Sequence, residues 1–112
     1  MKAINPATGE LIKEYEEHTD QQVAEIIDRV DAEYLEWRET SFEHRAKLMK
    51  AAAAEQKKNK KKYAEIITRE MGKTINESMA EVEKCAWVCD YYAENAEEFL
   101  ADEEIESDAG ES

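Results

Sequence analysis

From Ile75 to Leu100, apolar residues recur in alternating steps of four and three: Ile75, Met79, Val82, Ala86, Cys89, Ala93, Ala96 and Leu100. That spacing keeps one face of a helix apolar, and over this length it has the regularity of a coiled-coil seam. Thr74-Ile75-Asn76-Glu77 fits a capping box and marks where the helix starts. Cys85, Tyr92 and Phe99 add a flanking line at spacing seven. A helix with so wide an apolar surface needs cover from more than one side, so any fold of this chain must supply several neighbours.

The rest of the chain has little to supply. At 112 residues it is at most one domain. Leu, Ile, Val and Phe together number eighteen, and the net charge is −13. That combination falls in the range of disordered chains. Alanines, two Trp, five Tyr and four Met restore apolar material. The expectation is therefore a folded chain with a thin core, whose apolar faces are made to pack against further chain downstream or a partner subunit.

Three segments precede the long helix. Met1 to Glu16 reads as a hairpin, with Pro6 and Gly9 around a turn and Leu11, Lys13 and Tyr15 on one face. Such a hairpin is marginal alone and needs a surface to lie on. Thr19 with Gln22 forms a capping box for a first helix, whose face is Val23, Ile26, Ile27, Val30, Tyr34 and Trp37. Thr40 and Ser41 interrupt it, and Thr40 with Glu43 caps a second helix carrying Phe42, Ala46, Met49 and Ala53 inward, widened by Leu48 and Ala52. The apolar face vanishes around Lys57 to Lys62, and a break is expected near Asn59. It resumes at Tyr63, Ile66, Ile67 and Met71, and Gly72 stops the helix, with Lys73 suited to the negative end of its dipole.

The acidic balance, 28 Asp and Glu against 15 Lys and Arg, argues against a nucleic-acid or anionic-membrane partner. The run Lys57 to Lys62 is the exception and reads as a solvated helix surface. No signal peptide or membrane-spanning run is visible, and two cysteines without a secretion signal point to a reducing cytoplasm.

Four segments carry a resemblance. INPATGE at Ile4 to Glu10, TSFEHRAKLMKAAA at Thr40 to Ala53, EMGKT at Glu70 to Thr74 and EVEKCAWVCDYYAENAEEFLADE at Glu81 to Glu103 follow in order. Together they resemble the leading part of the NAD(P)-dependent aldehyde dehydrogenases, nearest the NADP-linked succinate-semialdehyde branch. The resemblance implies a mostly α chain, an incomplete piece of that family's α/β cofactor-binding domain. It comprises a hairpin over 1–16, three to four helices over 19–101 and an acidic tail over 102–112. A full subunit would oxidise succinate semialdehyde to its acid through a thiohemiacetal and hydride transfer to NAD(P)+. The family's nucleophile, general base, oxyanion donor and cofactor glycines belong to later sequence. No catalytic, cofactor-binding or metal residue is therefore assigned here, no cofactor is expected for this chain alone, and it is expected to be inactive by itself. Its partner would be the remainder of a dehydrogenase subunit or a homo-oligomer.

Individual residues were weighed against that reading. Cys85 and Cys89 invite comparison with the family's thiolate, but mid-helix on an apolar face they read as packing. With His18 and His44 on other elements, they lack zinc spacing. Gly72-Lys73 follows a helix and is a C-cap, so it is no phosphate loop. Glu94, Glu97 and Glu98 read as a solvated face, and His44 as a surface or packing residue. Some relatives of the resembled family hold a monovalent cation on carbonyls before the NP dipeptide and an acidic helix residue. Ala3, Ile4 and Glu81 would correspond, and none is assigned as a ligand. The competing reading is a standalone acidic helical interaction module without activity.

Overall fold

The computed structural model describes residues 1–105. Two short strands, β1 (Lys2–Ile4) and β2 (Leu11–Glu14), precede α1 (Asp20–Trp37), α2 (Phe42–Lys58), α3 (Lys60–Met71) and α4 (Ile75–Phe99). The expected tail is described only to Ile105, without regular structure, and the remainder of the 102–112 expectation lies outside the described residues.

The hairpin pairs antiparallel, Lys2 opposite Glu14, Ala3 opposite Lys13 and Ile4 opposite Leu11, with a register irregularity between Ala3 and Ile4. Its turn is local chemistry. The Asn5 side chain accepts from the Ala7 N–H at 2.9 Å, and Gly9 takes a left-handed φ of 74° while donating to the Asn5 carbonyl. The face assignment was wrong by one residue. Ile12 is half-buried, and Leu11, Lys13 and Tyr15 all point outward. A strand's side-chain period is two, so a single step exchanges its faces.

Helix ends follow their caps. Thr19 accepts from the Gln22 N–H, and the Gln22 side chain accepts from the Thr19 N–H in return. Thr74 and Glu77 repeat this at α4. At α2 the cap is Ser41, which accepts from His44 N–H, and not the Thr40–Glu43 box. The Thr40 hydroxyl instead donates to the Trp37 carbonyl at 2.7 Å, closing α1. The break at Asn59 is present, its amide donating back to the Glu55 carbonyl and carboxylate. Gly72 ends α3 at φ 73°, and the Pro6 ring approaches to 3.0 Å of the point where a Cβ would stand. That contact seats the hairpin's turn against the α3 terminus.

The packed body is α4 lying against α2 and α3. Its fully enclosed residues are small: Ala53, Ala64, Ser78, Val82 and Ala86. Small side chains let the helix backbones come close, and the Ser78 hydroxyl is satisfied by Thr68 at 2.9 Å across the α3–α4 contact. The long helix's stripe is thus half covered. Val82 and Ala86 are buried, Met79, Cys89, Ala93 and Ala96 are half-buried, and Ile75 and Leu100 are exposed. On the opposite side α1 buries no residue, and Val30 is 63% exposed at the centre of its apolar face. The radius of gyration is 20.4 Å, where a compact chain of this length would have about 13–14 Å. These helices form a body with open sides.

Candidate functional site

Four clusters of side chains could carry chemistry, and the helix order determines what each can do. Along the α4 face that meets α2 and α3, lysines of those helices and of the turn after α3 pair in reverse order with acids of α4. Lys50 meets Glu94 at 3.8 Å, Lys57 meets Asp90 at 2.6 Å, and Lys60 and Lys73 meet Glu83 and Glu81. The basic run read as solvated surface is therefore in part an antiparallel clasp. Lys57 and Lys60 point into it, and Lys61 pairs along its own helix with Glu65. The acids of α4 stand in the sequence, but the antiparallel register that pairs them with these lysines is visible only once the helices are packed.

Lys73 and Glu81 bear on the candidate cation site. The Glu81 carboxylate bonds the Lys73 ammonium, and that hydrogen bond and charge hold the ammonium above its ordinary pKa. The negative charge that a cation would need is already neutralised by a lysine. Ala3 and Ile4 sit in the β1 ladder, the first half-buried and the second exposed. Among the described residues, no three His, Cys, Asp or Glu side chains come together to hold a metal ion.

The cysteines differ from the packed pair that their spacing implied. Cys85 is exposed, and Cys89 is half-buried with its sulfur 3.6 Å from the Gln56 amide nitrogen. The face assigned to Cys85 has no neighbour in this chain to cover it. Neither thiol is bonded to a histidine or other base. A cysteine nucleophile needs an activating base and oxyanion donors, and among the described residues the side-chain bond to these sulfurs is the one from Gln56 to Cys89. His44 packs edge-on to Trp37, with centroids 6.3 Å apart, and His18 lies on the surface before α1. Glu94 is an ion-pair partner of the clasp, while Glu97 and Glu98 are exposed as expected.

The best-formed concavity is a cleft of about 210 Å³ where the start of α2 meets the end of α4. Phe42, Ala46, Met49, Tyr92 and Leu100 give it apolar walls, and Glu43, Glu94 and Glu97 rim it with negative charge. Arg45 also lines it and bonds the carbonyl oxygens of Trp37, Arg38 and Thr40, at and just past the end of α1. A second apolar hollow lies on α1 itself, between Ile27, Val30 and Tyr34. Further aromatic surface runs down the outside of α4, where Trp87 stacks on Tyr91 and Tyr91 touches Phe99. These surfaces are apolar and aromatic, with carboxylates and Arg45 at the α2–α4 cleft.

Comparison with known proteins agrees with that geometry. The sequence model of the aldehyde dehydrogenase family matches residues 1–112, the whole chain. The chain belongs to the aldehyde dehydrogenase family. It is similar to a probable NADP+ succinate-semialdehyde dehydrogenase of Synechocystis sp., 38% identical over all of this chain and 25% of that protein. Succinate-semialdehyde dehydrogenase [NADP(+)] 1 of Mycobacterium tuberculosis is 43% identical over 92% of this chain and 22% of its own length. Among solved structures, the succinic semialdehyde dehydrogenase of Streptococcus pyogenes in complex with NADP+ superposes with a TM-score of 0.90 at 36% identity. It covers 97% of this chain and 24% of that one. Gox0499 superposes with a TM-score of 0.92 at 28% identity and similar coverage. The chain thus spans about a quarter of the length of the relatives it matches. Within the family, then, the open faces of α1 and α4 belong to a segment whose counterparts in solved dehydrogenases have three-quarters of a chain besides.

Proposed function

We propose that this chain is the leading segment of an NADP-dependent succinate-semialdehyde dehydrogenase and acts as structural support, without catalysing the reaction by itself. One observation carries the reading. Its helices adopt the arrangement seen in a whole dehydrogenase chain while leaving the apolar faces of α1 and α4 uncovered. Burial of that surface is the driving force for joining the rest of the enzyme.

The residues present do not fit a dinucleotide. Pyrophosphate is held by a glycine-rich turn that follows a strand and opens a helix, where backbone N–H groups and the positive dipole end face the phosphates. Here the strands lead into a hairpin, and Gly72 stands at a helix C-terminus, the negative end. The best cleft carries three carboxylates against one guanidinium, Arg45, which is already bonded to the carbonyls of Trp37, Arg38 and Thr40. NADP+ and the aldehyde are accordingly assigned to the remaining polypeptide, in a reducing compartment where both thiols stay free.

The coding DNA past the Ser112 codon tests this reading. It should carry further aldehyde dehydrogenase motifs, in the same frame or a shifted one. Unrelated sequence in every frame would favour a standalone acidic helical module.

A further inference from the structure

Arg45 stands in the first turn of α2 and turns back onto the end of α1. Its Nη2 donates to the carbonyls of Thr40 at 2.9 Å, Arg38 at 3.0 Å and Trp37 at 3.3 Å. Its Nε donates to the Thr40 hydroxyl at 2.8 Å, and that hydroxyl donates in turn to Trp37. The guanidinium also lies 5.8 Å from the Trp37 ring and 5.6 Å from the Phe42 ring, one from each helix. The Trp37 carbonyl also accepts from the Thr40 N–H and hydroxyl, and Arg38 at the C-cap turns aside to Glu39. The last turn of α1 itself has no basic residue, so its negative dipole end is met by a charge from the next helix. Along the rest of α1 no residue is buried, and the helix lies lengthwise against no other element.

We infer that Arg45 is a positioning residue that fixes the angle at which α1 leaves the body formed by α2, α3 and α4. Locked at this corner, α1 presents Ile27, Val30 and Tyr34 ready-oriented to the remaining dehydrogenase polypeptide. The choice of partner rests on the function proposed above, whereas the lock itself does not. Holding the helix in place beforehand removes part of the ordering cost of docking. Lysine cannot substitute, because a single ammonium lacks the planar fork that reaches several acceptors while stacking on two rings.

The test is a distance measurement on the 112-residue chain. Spin labels go on Asp28→Cys in α1 and Lys47→Cys in α2, both exposed positions, with Cys85 and Cys89 replaced by serine. The parent should give one narrow distance distribution. Arg45→Lys and Arg45→Met should each broaden it severalfold, while the helical signal and the melting midpoint of the body stay near those of the parent. A distribution as narrow as the parent's in Arg45→Met would overturn the inference. So would a narrow one in Arg45→Lys, which would assign the corner to charge alone. A broad parent distribution would show that no lock exists, and loss of helicity in both variants would make Arg45 a core residue instead.

Discussion

Gly72 shows how a single residue ties two elements together. Its φ of 73° lies in the left-handed region, where a side chain costs about 1–2 kcal/mol, and the Pro6 ring occupies the space a Cβ would take. Gly72→Ala should therefore lower unfolding free energy by about 1–2 kcal/mol in urea titration, and an unchanged midpoint would contradict the left-handed conformation at Gly72. The contact between α3 and α4 is similarly intolerant. Ala64 and Ala86 are wholly enclosed, so Ala86→Leu should cost about 1–3 kcal/mol through overpacking. Lys73 responds to pH with a definite sign. Its pKa is raised by Glu81, so the stabilisation it brings is complete below the ordinary lysine range and is lost only as pH climbs through the raised value. Comparing native chain and Lys73→Met, the difference in melting midpoint should persist from neutral pH to mild alkali and vanish in strong alkali. The caps of Thr19 and Thr74, the stop at Gly72 and the break at Asn59 were legible beforehand because each is a negotiation among residues within four positions. Arg45 and the Thr68–Ser78 pair were not, since their partners are brought close only by the fold.

At the scale of elements, α4 and its partners are joined by small-residue packing inside and the lysine clasp outside. The clasp contributes less than its regularity implies, because each pair has at least one partner more than half exposed, Glu83 at 59% beside a half-buried Lys60. Lys60→Gln should cost under about 1 kcal/mol, and the difference should disappear in about 1 M salt, where screening acts within about 3 Å. A larger loss that survives salt would mean that Lys60 is held by packing. A hairpin followed by three to four helices could be read from periodicity and caps. Which face of each helix finds cover could not. Periodicity identified Cys85 and the α1 face as apolar surface, correctly as composition, but a spacing cannot say whether a neighbour exists. Glu43 failed as a cap partner for a related reason. Two adjacent hydroxyl residues compete for one helix start, and the chain direction leaving α1 gives it to Ser41.

The whole molecule is an open scaffold: a helical body, a hairpin seated on one end and a lone helix held by its corner. Its radius of gyration and uncovered faces have the same origin, too few large apolar residues for the helices it builds. Composition already foretold that shortage. Family membership was legible because the matched segments are themselves packing surfaces and turns, which identify a fold without performing its reaction. The proposed role is support of a dehydrogenase without catalysis by this chain itself. The most direct measurement is NADPH formation by the purified 112-residue chain given succinate semialdehyde and NADP+, with no other protein present. The expected rate does not exceed the protein-free blank at any chain concentration. NADPH formation that rises in proportion to the chain would contradict it.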